Sequence, residues 1–131
     1  MNGHDRAKEW IRFAQSDLKA AQVLLKEEVY NEVCFHSQQC VEKLLKAFLV
    51  SKGEQTPKTH RLIDLLEILL ERDQQLESLR DPCVVLDQYY LPSRYPDAII
   101  GSKPTGFPSE KDAKEALEIA ESVWLKMLNR I

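Results

Sequence analysis

Gln39, Glu42, Lys43 and Lys46 follow one another at spacings of three, one and three. On a helix these are positions i, i+3, i+4 and i+7, so the four side chains stack along one narrow stripe. Two ammonium groups beside a carboxylate and an amide can hold a phosphate and a sugar or base edge, each lysine acting as a point charge. The simpler alternative is a solvent face stapled by a Glu42–Lys46 pair, worth a few tenths of a kcal/mol. The rest of the helix bears on the choice. Val33, Cys40, Val41, Leu44, Leu45 and Phe48 take up most of its remaining circumference, which predicts a central helix whose polar stripe lines a groove or an interface.

Arg94-Tyr95-Pro96-Asp97 is the second constellation, a cation, an aromatic ring and a carboxylate side by side. Pro96 restricts Tyr95 to extended backbone, so a stiff segment presents these groups. If this segment folds back over the stripe, Lys43, Lys46 and Arg94 neutralise phosphate and Tyr95 stacks on a base or ribose. Gln39, Glu42 and Asp97 then bond the remaining polar edges. The same residues can instead satisfy one another as a buried network at an interface, through an Arg94–Glu42 or a Lys46–Asp97 pair. His60 stands beside Arg61, where a histidine can cap, pack or titrate. His36 lies within reach of the stripe and His4 close to the N-terminus; neither is assigned a role. Cys34, Cys40 and Cys83 show no CxxC spacing and read as reduced core fillers, with no metal site and no cofactor.

Helices must carry these groups. No glycine or proline interrupts the chain between Asp5 and Lys52, which suits two long helices. The first is predicted from about Asp5 to Glu28, burying Trp10, Phe13, Ala14, Leu18, Ala21, Leu24 and Leu25. Asn31 is the predicted N-cap of the second, which runs to about Ser51. A third opens at Thr59 or His60 and buries Leu62, Leu65, Leu66, Leu69 and Leu70. Asp81-Pro82 reads as N-cap and first position of a fourth, ending near Tyr90 or Leu91. Ser109, with Asp112 three residues on, starts the last, whose seam is Ala113, Ala116, Leu117, Ala120, Val123, Trp124, Met127 and Leu128. Residues 92–108 hold four of the six prolines and two of the four glycines. They read as a long loop, either functional or a surface crossover.

No segment alternates as a strand does, so the expected architecture is an all-α, up-and-down bundle of four main helices and a short fifth. At 131 residues the chain makes one domain with a core of its own. Its 21 acidic residues against 18 lysines and arginines leave a net charge of −3, which argues against coating nucleic acid by bulk charge. RNA remains a partner only through a local basic patch. No apolar run spans a membrane or makes a secretory signal, so a cytoplasmic protein is expected.

The run from Phe35 to Ala47, FHSQQCVEKLLKA, resembles the QQxxEKxxKA helix of HEPN (higher eukaryotes and prokaryotes nucleotide-binding) domains. Trp10 with Ala14 and Asp17-Leu18, then His60, the Tyr90–Asp97 segment and an alanine-rich last helix follow that family's order along nearly the whole chain. The resemblance implies a bundle similar to the helical domain of kanamycin nucleotidyltransferase, commonly a homodimer. It also implies a minimal nucleotidyltransferase as partner in a toxin–antitoxin-like pair, and a non-catalytic module that binds nucleotide or partner. One branch of the family consists of ribonucleases with an arginine followed, after four to six intervening residues, by a histidine. That spacing is absent here. Residues five to seven positions before His36 are Asn31, Tyr30 and Val29, those before His60 are Gln55, Glu54 and Gly53, and no histidine follows Arg94. A ribonuclease built on this chain would have to pair Arg94 with His60.

Overall fold

The Asn2 side chain accepts a hydrogen bond from the Asp5 amide at 2.9 Å and so caps the first helix, in a computed structural model that describes residues 2–90, 96–97 and 106–131. Helix α1 spans Gly3–Lys26, starting two residues before Asp5. A Cβ at Gly3 would lie 2.9 Å from the Val50 carbonyl oxygen, so only glycine allows the two backbones to approach this closely. The buried stripe of α1 is Ala7, Ala14, Leu18 and Ala21, with Asp17 among them. Three alanines at heptad spacing draw α1 tight against its neighbour and turn the adjacent positions outward. Phe13 is therefore 60% exposed, not buried as its spacing suggested.

Helix α1 ends in a Schellman motif. Val29 N bonds Leu24 O at 3.0 Å and Glu28 N bonds Leu25 O at 3.1 Å, with Glu28 in the left-handed region at φ 62°. This turn feeds directly into α2, Tyr30–Ser51, whose N-cap is Val29. Asn31 thus lies within the first turn and is not the cap. The end of α2 repeats the motif with glycine: Gly53 has φ 81°, and Glu54 N bonds Leu49 O at 3.0 Å.

Helix α3 covers Leu62–Leu70, beginning after His60 instead of at it. A 3₁₀ segment over Gln74–Leu79, capped by Asp73, continues straight into α4, Arg80–Asp87. Asp81 and Pro82 accordingly sit inside the first turn of α4, not at its cap. Proline is tolerated there because a first-turn N–H has no intrahelical acceptor. The helix stops at Asp87, short of the expected Tyr90. Helix α5, Glu110–Leu128, begins with the predicted capping box: Asp112 N bonds Ser109 Oγ at 3.1 Å, and Ser109 N bonds Asp112 Oδ2 at 2.8 Å.

These five helices form an all-α bundle with α2 at its centre, packed most extensively on α1 and α5 and also touching α3 and α4. Val33, Cys40, Val41, Leu44, Leu45 and Phe48 are all buried, as are the leucines of α3 apart from a half-buried Leu70. The three cysteines are buried free thiols, and burial pushes Cys40 and Cys83 up to about 12, which keeps them protonated and inert. Among the described residues there is no strand, no cluster suited to a metal, and no helix long and apolar enough to cross a membrane.

Candidate functional site

The stripe on α2 forms as its spacing predicts, yet much of it is not a solvent face. Glu42 and Lys46 are buried, and their i,i+4 pair closes at 2.9 Å. Lys46 Nζ also lies 5.6 Å from the Trp10 ring centroid, so α1 covers the ammonium group with an aromatic face. Two further donors reach the Glu42 carboxylate. His60 Nδ1 stands 3.2 Å from Oε1, and Gln39 Nε2 approaches the same oxygen at 3.4 Å. A carboxylate only 4% exposed is tolerable in a bundle when it is ringed by donors in this way.

His60 is fixed at several points. Its backbone carbonyl accepts from the buried Gln38 amide at 2.8 Å, and Gln38 Oε1 in turn accepts from Gln39 at 2.8 Å. The Tyr90 ring stacks on the imidazole with centroids 5.3 Å apart and planes 10° apart. Tyr90 also meets Phe35, and Phe35 meets His36 edge-on, so an aromatic belt runs across this side of α2. Behind His60, the amides of Leu62 and Ile63 donate to Asp87 at 2.7 and 3.1 Å. That carboxylate, from the end of α4, caps α3 in place of the missing local cap. Burial pushes Asp87 above the usual carboxylate range, against the pull of these two amides.

A second knot closes the other flank. Asp17, nearly buried on α1, accepts from His36 Nδ1 at 2.8 Å and from Lys43. His36 Nε2 lies 3.6 Å from Glu32. The stripe is thus divided: Lys43 and His36 tie α2 to α1 through Asp17, while Glu42 and Gln39 reach toward His60 and Lys46 bridges Glu42 to Trp10. A shallow depression of about 280 Å³, bounded by Arg6, Glu9, Trp10 and Phe13, adjoins the Trp10 end.

Gln39, Glu42, Lys46 and His60 therefore share one network, and Lys43 belongs to the separate Asp17 knot. Arg94 and Tyr95 lie outside the described residues, and the proposed Arg94–Glu42 contact lies there with them. Pro96 and Asp97 form an exposed turn. Among the described residues the ion-pair partner of Lys46 is Glu42, not Asp97. Sequence reasoning assigned no role to His36 and missed Asp17, Gln38 and Asp87. Asp17 could have been found as a lone carboxylate inside the apolar stripe of α1. Asp87 gave no such signal, because it caps a helix 25 residues away.

Comparison with known proteins agrees with this architecture. The model of the HEPN domain matches residues 7–131. "Putative toxin MJ1304" of Methanocaldococcus jannaschii is 33% identical over 125 residues, 89% of this chain and 82% of that one. The crystal structure of TT1696 from Thermus thermophilus superposes with a TM-score of 0.86 at 33% identity, covering all of both chains. That of ST0689, an archaeal HEPN homologue, gives 0.74 at 29% identity, over 94% of this chain and 95% of the other. With a family match spanning almost its whole length and the bundle to go with it, the chain belongs to the HEPN domain family.

Proposed function

We propose that this chain is the non-catalytic HEPN component of a toxin–antitoxin-like pair, acting in the cytoplasm as a homodimer beside a minimal nucleotidyltransferase. The polar stripe of α2, with His60 beside it, takes a nucleotide. The observation that carries the reading is the convergence of Gln39, Glu42, Lys46 and His60 in one network, with Lys43 on the neighbouring flank paired to Asp17. A purely structural staple needs no exposed rim, yet 59% of the His60 side chain is open to solvent. Similarity to a protein named as a putative toxin supports the pairing.

In this reading Lys43 and Arg94 meet the phosphates, and Lys46 holds Glu42 in place. Tyr95 stacks on the base, and Asp97 closes the far edge. Titration calorimetry with ATP and GTP tests it: millimolar or tighter binding is expected, weakened in Lys43→Ala and Arg94→Ala. No heat at millimolar ligand, or affinity unchanged in both variants, overturns the nucleotide reading. A small nucleotidyltransferase encoded in the adjacent reading frame and co-eluting with this chain tests the partner.

A ribonuclease reading also draws on His60, since an exposed imidazole held by a buried carboxylate is built for proton transfer. The missing arginine–histidine spacing speaks against it. Incubation with tRNA is expected to leave the RNA intact, and cleavage abolished by His60→Ala would reverse that conclusion.

A further inference from the structure

Phe13 stands out from the bundle with 60% of its surface open. Together with Arg6, Glu9 and Trp10 it bounds the shallow depression of about 280 Å³. The four residues occupy positions i, i+3, i+4 and i+7 of α1, so they make one continuous face beside the face that packs on α2. Trp10 belongs to both regions, since its ring also meets Lys46 of the buried Glu42–Lys46 pair. Arg6 and Glu9 are exposed, and neither forms an ion pair with any described residue.

One free cation and one free acid flank two aromatic rings, so the patch carries no net charge. A polyanion is held by a surplus of cations, which this face does not have. A bilayer takes up a long apolar face, and that of α1 is already buried in the bundle. The partner that such a patch complements is itself, because a two-fold axis sets every group against a different one. With two α1 helices antiparallel about an axis midway between residues 9 and 10, position 6 of one copy faces position 13 of the other. Phe13 then seats in the opposite depression beneath Arg6, as a cation–π pair. Arg6 also comes within one turn of the opposite Glu9, and the ion pair forms twice. We propose that this face of α1 is where two copies of the chain meet, through reciprocal Phe13–Arg6 and Arg6–Glu9 contacts. The proposal rests on the homodimer reading above and names its surface.

Sedimentation of the full chain over a concentration series tests it, with circular dichroism confirming that each variant stays helical. The wild type is expected to dimerise and Phe13→Asp to sediment as a monomer. Arg6→Glu and Glu9→Arg each set like charges together twice, and each should weaken self-association about tenfold or more. The double variant Arg6→Glu/Glu9→Arg restores opposite charges across the axis and should recover most of the loss. A dimer that survives Phe13→Asp unchanged overturns the inference and leaves the homodimer itself standing. Two weakening single variants with no recovery in the double overturn the reciprocal pairing. A wild type that stays monomeric at roughly 100 μM removes both the inference and the homodimer. A monomer that loses a co-eluting nucleotidyltransferase on Phe13→Asp assigns the patch to that partner and overturns the inference equally.

Discussion

Asp87 and Leu62 meet across the bundle: the carboxylate at the end of α4 accepts the first amide of α3 at 2.7 Å. The next amide, of Ile63, reaches the other oxygen at 3.1 Å. Because His60 lies two residues ahead of Leu62, this cap also sets where the imidazole stands. Asp87→Ala should lower stability by about 1–2 kcal/mol, as loss of a helix cap does, and should shift the His60 ring resonances. Unchanged resonances would show that Asp87 holds α3 but not the site.

The same carboxylate makes a pH prediction. Burial raises Asp87 above its unfolded value, so folding binds its proton more tightly than the unfolded chain does. Its titration therefore adds stability that is complete below the ordinary carboxylate range near pH 4 and is lost as pH rises through the folded value. Asparagine does not titrate. The difference in Tm between wild type and Asp87→Asn should be widest near pH 4 and narrow toward pH 7. A difference that widens with pH would contradict the raised value.

Glu42 and Lys46 are buried together, so removing one partner leaves an uncompensated charge. Glu42→Ala should cost about 3–5 kcal/mol in urea unfolding. Joining it to Lys46→Met should recover a large part, because an apolar pair needs no counterion. A double variant no more stable than Glu42→Ala would mean that the loss comes from packing.

The two Schellman turns offer a matched pair. Gly53 supplies the left-handed residue at the end of α2, while Glu28 occupies the same position at the end of α1 against its steric preference. Glu28→Gly should raise stability by about 0.5–1 kcal/mol and Gly53→Ala should lower it by about 1 kcal/mol. Thermal melts of both variants read this directly.

Much of the architecture was legible because its signals are local. The 3.6-residue apolar pattern marked the helices, and Ser109 with Asp112 marked the start of α5. Failures arose where distant parts of the chain decide. Phe13 has the right spacing for the core, but Ala7, Ala14 and Ala21 bring α1 too close for its ring to enter. Asn31 is a good cap by type, but the left-handed Glu28 ends one helix so tightly that the next starts before it. The polar stripe on α2 was visible as a row of residues. Its division into a His60 network and an Asp17 knot was not, since each partner comes from another helix or loop.

The Arg94 side chain distinguishes a ligand site from a closed interface. If its role is to complete an ion-pair network between copies of this chain, Arg94→Ala should lower the Tm and dissociate the proposed dimer in sedimentation. If its role is nucleotide binding, mass and Tm should stay as in the wild type while affinity falls.

The most direct measurement is a chemical-shift titration of the labelled protein with ATP, following the side-chain signals of Lys43, His60 and Arg94 together. All three should move along one saturable curve, with α5 signals unaffected. Signals of Lys43 and His60 that stay fixed at millimolar ATP would contradict a nucleotide site on α2.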